Sequence, residues 1–286
     1  MATFEFQGAE GLPLVGDERG DPSAPPVALL HGGGQTRHSW GGTAQVLADK
    51  GWRAITLDAR GHGESGWSPA RDYRLSSFAS DVKAFVEGPL GGEAPFLIGA
   101  SLGGLTSILL AGEMAPGIAR GVVLVDIVPD MEPAGASRIS EFMSEHAVSG
   151  FASLEEVADA IAAYNPHRPR PSDLSGLRKN VRERDGRWYW HWDPAFAGGT
   201  ADLGPSEVTD VPRLTAAVAA ILDGGTPMML VRGRVSDLVS ETKADEFRTR
   251  FPSVEYVDVS GAGHMVAGDR NDAFTSAVVD FLARHR

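Results

Sequence analysis

Along the first 125 residues, short apolar runs alternate with stretches of helical spacing. Thr3 to Gln7 alternates apolar and polar side chains, as an edge strand does when one face is covered. Val27–Leu30, Arg53–Leu57, Ala94–Ile98 and Gly121–Val125 are largely apolar runs of buried-strand length. Gly41–Lys50, Leu75–Val86 and Gly103–Glu113 lie between them with helical spacing, the last built from small residues. Strands alternating with helices predict the α/β class, with a mostly parallel sheet covered on both faces.

From Pro129 to about Asp223 the pattern changes. This stretch is rich in Pro, Arg and aromatics, and predicts helices over Ala136–His146, Leu154–Tyr164, Asp173–Glu183 and Pro212–Leu222 without buried strands. The alternation then resumes with a strand at Met228–Val231, a helix over Thr242–Arg250, a strand at Val254–Val257 and a helix over Ala273–Arg284. An insertion between two strands of one sheet predicts a lid over the edge where ligands bind, beyond the carboxyl ends of the strands. The expected division is a core of residues 1–129 and 224–286 and a helical cap of residues 130–223.

The candidate chemistry sits at the ends of the predicted strands. Gly99-Ala100-Ser101-Leu102-Gly103 fits G-x-S-x-G between an apolar run and a small-residue helix, the context a nucleophile elbow requires. A glycine-serine turn without chemistry is the competing explanation; the strand before and the helix after favour Ser101 as nucleophile. The Leu102 amide then lies at a helix N-terminus, where free N–H groups favour developing negative charge. His31-Gly32-Gly33-Gly34 follows the Val27–Leu30 run, and glycine lets a backbone N–H approach a reacting oxygen closely. Gly33 is the expected second oxyanion donor, with Gly34 beside it; His31 reads as a hydrogen-bonded residue that holds the loop.

A serine hydroxyl needs a base, and the base needs an orienting acid. Of eight histidines, His264 in Ser260-Gly261-Ala262-Gly263-His264-Met265 follows a strand and precedes the final helix. Asp237, shortly after Met228–Val231, is the first choice for the acid. Asp126, ending the run Gly121–Val125, is the second. Arg187-Trp188-Tyr189-Trp190-His191-Trp192 alternates with period two, placing its tryptophans on one face as lid core or pocket wall. Gly34, Trp40, Trp190 and Met265 are candidate pocket residues.

Composition removes other classes. The chain has 286 residues, 42% hydrophobic, with a net charge of −12, which argues against nucleic acid as a partner. It has no cysteine, so disulfides, thiolate zinc sites and cysteine nucleophiles are absent. No P-loop lysine and no H-E-x-x-H occur, so neither a metal nor a cofactor is expected. Gly61-His62-Gly63-Glu64-Ser65-Gly66 matches G-x-G-x-x-G, but Trp67-Ser68-Pro69 follows where a dinucleotide site needs a helix start. The N-terminus lacks a signal-peptide pattern and no run approaches ~18 apolar residues, so the expected location is the cytoplasm and no membrane is expected as a partner. The expected partner is a small-molecule substrate, with self-association left open.

The ordered set resembles the α/β-hydrolase fold family over nearly the whole chain. The match consists of His31-Gly32-Gly33-Gly34 after the third strand, Asp58-Ala59-Arg60-Gly61-His62-Gly63-Glu64-Ser65 after the fourth, Gly99-Ala100-Ser101-Leu102-Gly103-Gly104 after the fifth, a late Asp and Gly261-Ala262-Gly263-His264. The resemblance implies acyl transfer to water through an acyl-serine, and a helical cap where the lid is placed. Epoxide hydrolases and haloalkane dehalogenases of the family carry Asp where this chain has Ser101. Its carbon–carbon bond hydrolases usually have Asn before the nucleophile and Trp after the histidine; here these are Ala100 and Met265. Its cofactor-free haloperoxidases, in effect perhydrolases, often have Met where Leu102 stands. The expected activity is hydrolysis of a small uncharged ester or lactone. Perhydrolysis, carbon–carbon hydrolysis and a non-catalytic receptor on the same fold are the alternatives.

Overall fold

The computed structural model describes residues 1–164, 170, 173–197, 207–261, 263–264 and 271–286. β1 (Ala2–Gln7) and β2 (Pro13–Arg19) form an antiparallel edge, and β2 pairs antiparallel with β4 (Arg53–Leu57). β3 (Pro26–Leu30), β4, β5 (Phe96–Ala100), β6 (Gly121–Val125), β9 (Met228–Gly233) and β10 (Glu255–Val259) run parallel. The order across the sheet is β1-β2-β4-β3-β5-β6-β9-β10. β2 breaks the predicted pattern because only part of Pro-Leu-Val-Gly-Asp-Glu-Arg is apolar, as suits a strand near the sheet's edge.

Alternation along the strands sorts the core into two layers. Ala28, Leu30, Ile55, Leu97, Leu124 and Leu230 face the helices α2 (Leu75–Glu87) and α3 (Leu102–Leu109). Val27, Leu29, Ile98, Val123, Val125 and Val231 face α1 (Gly41–Asp49) and the C-terminal helix α9 (Asn271–Arg284). Successive side chains point to opposite faces, so a strand buried on both sides must be apolar throughout. That is why β3 and β6 read as continuous runs, with every residue buried.

Between β6 and β9 lies an insert with its own apolar cluster: Met143 of α4 (Pro133–Ser144), Val157 and Ala158 of α5 (Leu154–Tyr164), and Phe151, Trp190 and Trp192. The expected all-helical cap is corrected in two places. Residues Val181–Arg184 (β7) and Arg187–Trp190 (β8) form an antiparallel hairpin, not the end of a helix. Asp185 and Gly186 turn it with φ of 52° and 71°, the two left-handed positions a tight hairpin favours. The helix that closes the segment, α7 (Val211–Asp223), packs Leu214, Ala217, Val218 and Ile221 into the main core rather than into the insert's cluster. Among the described residues no helix is long and apolar enough to cross a membrane.

Candidate active site

The chain leaves β5 at Ala100 and enters α3 at Leu102, so Ser101 alone makes the turn. Its φ of 49° and ψ of −115° lie in a region that L side chains avoid. Glycine on either side makes the turn possible. A Cβ on Gly103 would lie 2.4 Å from the Leu30 carbonyl oxygen, and one on Gly99 would lie 2.3 Å from the Gly103 carbonyl carbon. The amides of Gly104 and Leu105 donate to the Ser101 oxygen at 2.9 and 3.0 Å. The Leu102 amide, one place earlier in the first turn, has no acceptor among the described residues.

β6 is the neighbour of β5, and Ala100 is paired with Val125, so Asp126 follows the strand beside the serine. The Ser101 amide donates to the Val125 oxygen at 3.3 Å. Asp126 is fully buried, and its carboxylate accepts three hydrogen bonds. Oδ1 accepts the Gly233 amide at 3.0 Å; Oδ2 accepts the Ser236 hydroxyl at 2.5 Å and His264 Nδ1 at 2.8 Å. A carboxylate without access to water needs such donors. Asp237, expected to orient His264, does not meet it. Its carboxylate pairs with Arg138 at 3.0 Å, and both side chains are well exposed. The loop after β9 does reach the site, but it brings the Ser236 hydroxyl to Asp126 and turns the next side chain, Asp237, outward to Arg138.

The turn Gly32–Gln35, closed by the Gln35 amide on the Gly32 oxygen at 3.1 Å, lies against the serine. A Cβ on Gly32 would sit 3.3 Å from the Ser101 Cβ. The Gly32 amide donates to Gln35 Oε1 at 3.2 Å and the Gly34 amide to His62 Nε2 at 3.1 Å. Between them, the Gly33 amide has no acceptor among the described residues. The insert stands directly over this turn. Met143 Sδ and Phe196 come within 3.4 and 3.5 Å of a Cβ built on Gly33, and Trp192 within 3.3 Å of one on Gly34.

Two of the expected pocket residues lie elsewhere. Trp40 is buried on the α1 side, 5.8 Å from the Phe274 ring, in the lower core layer. Trp190 is the insert's own core: it stacks on Trp192 at 4.7 Å, meets Phe151 edge-on at 4.8 Å and donates its indole N–H to the Glu145 oxygen. The alternation of the tryptophans is therefore real, but only Trp192 reaches the turn. Met265 lies outside the described residues. Met143 and Phe196 gave no signal in the sequence, because contact with the turn depends on how the insert docks.

His31, His62 and His191 gather behind the turn, with His62 5.3 Å from the His31 ring and 5.9 Å from the His191 ring. Burial lowers all three pKa values: His31 below its ordinary 6.5, His62 well below it, and His191 to about 3. Among the described residues no group of three or more His, Cys, Asp or Glu side chains is arranged to hold a metal ion.

Comparison with known sequences agrees with this geometry. The sequence model of the alpha/beta hydrolase fold family matches residues 25–270. The chain belongs to the α/β-hydrolase fold family. It is an enzyme of that family. This α/β-hydrolase is 34% identical over 265 residues to the esterase Rv0045c of Mycobacterium tuberculosis (strain ATCC 25618 / H37Rv), covering 90% of this chain and 82% of that protein. The crystal structure of that esterase superposes with a TM-score of 0.72 at 30% identity, covering 99% of this chain and 91% of the other. The sn-1-specific diacylglycerol lipase ABHD11 of Mus musculus is 28% identical over 272 residues, covering 92% and 83%. In fold, the hydrolase is also similar to E-2-(acetamidomethylene)succinate hydrolase, with a TM-score of 0.82 at 23% identity over 99% of both chains.

Proposed function

We propose that this α/β-hydrolase is a serine esterase that cleaves a small uncharged ester through an acyl-serine on Ser101. The observation that carries the reading is the Asp126–His264 hydrogen bond of 2.8 Å, on the strand next to the serine turn. With Nδ1 engaged by Asp126, His264 presents Nε2 as the base for the Ser101 proton. The alkoxide forms a bond to the carbonyl carbon, and the carbonyl oxygen becomes an oxyanion. The free amides of Gly33 and Leu102 are the donors for it, each contributing roughly 2.7–4 kcal/mol. His264 then gives its proton to the departing alcohol. Water, deprotonated by the same nitrogen, releases the acid and restores Ser101.

Two further observations support a small neutral substrate. The roof over Gly33 and Gly34 is Met143, Phe196 and Trp192, which offer apolar contact and no charge. Arg37, two residues after the turn, is committed to Asp17, Asp58 and Glu64, and Arg138 of the insert to Asp237. The relatives named as an esterase and a lipase point to the same bond type.

The test is turnover of p-nitrophenyl esters from acetate to octanoate by the native chain and by Ser101→Ala, with a fluorophosphonate as covalent probe. The reading expects labelling at Ser101 and a loss of turnover on the order of 10⁴-fold or more in the variant. A variant that still hydrolyses acetate at the native rate removes Ser101 from the mechanism. Labelling without turnover of any ester would favour a binding protein.

A further inference from the structure

Three glycines in succession do not hold a hydrogen-bond donor in place by themselves, because glycine gives the backbone its widest freedom. Electrostatic stabilisation of an oxyanion, in contrast, depends on donors that are already oriented. The residues that hold the turn are the three buried histidines, and each peptide unit around Gly33 has one.

The backbone partners fix the tautomers, since an amide only donates and a carbonyl only accepts. His31 accepts the Ala59 amide at Nε2 (3.0 Å) and so donates from Nδ1 to the Gly32 oxygen (2.8 Å). That oxygen and the Gly33 N–H are opposite ends of one planar peptide, so fixing the first aims the second. His62 accepts the Gly34 amide at Nε2 (3.1 Å) and donates from Nδ1 to the Arg60 oxygen (2.9 Å). His191 accepts the Gly63 amide at Nδ1 (2.8 Å) and donates from Nε2 to the Gly34 oxygen (3.3 Å). A neutral imidazole has one donor and one acceptor, and each of the three uses both. Burial keeps them neutral.

His191 differs from the other two in origin. It belongs to the insert, two residues from Asp193, whose amide donates to the Gly61 oxygen at 2.8 Å and whose carboxylate accepts the Tyr73 hydroxyl. The segment 191–193 is thus where the insert is bonded to the loops that follow β3 and β4. We propose that His191 is a positioning residue for the oxyanion turn: with His62 it holds both polar groups of Gly34, so that the neighbouring Gly33 amide is correctly aimed only when the insert is docked. This inference rests on Gly33 acting as an oxyanion donor. It makes the insert part of the catalytic apparatus and not merely a roof above it.

The two nitrogens of His191 can be removed separately. In His191→Asn the short amide replaces the acceptor at Nδ1, which keeps the Gly63 bond and loses the Gly34 bond. In His191→Gln the longer amide reaches the Gly34 oxygen and gives up Gly63. Kinetics on p-nitrophenyl acetate and the inhibition constant of a trifluoromethyl ketone are read for both. We expect kcat about tenfold lower in His191→Asn, with KM within about twofold and inhibition weakened about tenfold, the factor of one neutral hydrogen bond. His191→Gln should recover most of that loss.

A purely structural residue predicts the reverse order, with Asn the better replacement and inhibitor affinity unchanged; that result overturns the proposal. Should His191→Asn fail to fold, His62→Asn and His62→Gln repeat the comparison at the Gly34 amide, where only Gln restores an acceptor. Equal inhibitor affinity in that pair also overturns it. Ser101→Ala measured alongside separates the two claims. If it remains active, the esterase reading falls; if it is inert while His191→Asn keeps native kcat and inhibition, only the positioning role falls.

Discussion

The two sides of the active-site edge are held by different means. On the serine side, strand register does the work: Ala100 pairs with Val125, and Ser101 and Asp126 are the next residues of adjacent strands. On the side of the proposed oxyanion donor there is no register to rely on, and the side chains of His31, His62 and His191 hold a glycine turn. The first arrangement is robust to solution conditions, because a sheet buried on both faces shields its hydrogen bonds from water. The second depends on the protonation state of buried imidazoles and on the docking of an insert.

The sharpest way to break the comparison is at Asp126, the acid in the proposed mechanism. Asp126→Asn should reduce kcat by up to about 10⁴-fold with little change in KM, since an amide can leave His264 in the wrong tautomer. Steady-state kinetics decide it, and a loss under tenfold would show that strand register does not set the acid. The next largest effect belongs to the insert. Trp190→Ala should cost about 3–5 kcal/mol of its packing. Limited proteolysis would then cut within residues 133–197 while β3, β5 and β6 stay protected from hydrogen exchange; uniform exposure would show that insert and core unfold together.

A smaller effect comes from acid. Burial pushes the His191 imidazole down to about 3 in the folded chain, from an ordinary 6.5. Between these values the unfolded chain binds the proton and the folded chain does not, so stability rises with pH across the window. The contribution is complete above about 6.5 and is lost progressively as pH falls toward about 3. Thermal melts from pH 8 to 4 should show the Tm falling below neutrality, with a shallower fall in His191→Gln. Identical slopes would argue against a buried neutral imidazole at 191. Least of all should happen at Asp237→Asn: the exposed pair with Arg138 contributes less than about 1 kcal/mol, and kcat should stay within about twofold.

Much of this was legible from the order of residues. The parallel strands, the elbow around Ser101 and the position of His264 after a late strand follow from period and local motif. The partner of His264 did not, because Asp126 and Asp237 both come after strands and both precede His264 in the chain. What separates them is which side chain the loop after β9 turns inward: Ser236 meets Asp126 while Asp237 stays exposed beside Arg138, and order along the chain does not encode that choice. One signal was available: Asp126 directly ends a fully apolar run, whereas Asp237 lies four residues beyond Gly233, among the polar residues Arg234 and Ser236. The hairpin of β7 and β8 was half visible in the alternation from Arg187 to Trp192, and Asp185-Gly186 was its turn. Trp40 looked like a pocket residue from its closeness to the glycine turn in sequence, but burial against α9 is what a large apolar side chain after such a turn finds first. The positions of Met143, Phe196 and His191 against the turn come from the packing of the insert, which no local pattern specifies.

Ser101 and Asp126 share one more property, their positive φ of 49° and 51°. For a residue with a side chain such a sparsely populated conformation costs on the order of 1–3 kcal/mol, most of which glycine avoids. The half-buried Ser101 side chain is small and offsets little of this, so Ser101→Gly should melt a few degrees higher than the native chain. A library sorted only for heat resistance would accordingly accumulate glycine at 101, trading its chemistry for durability.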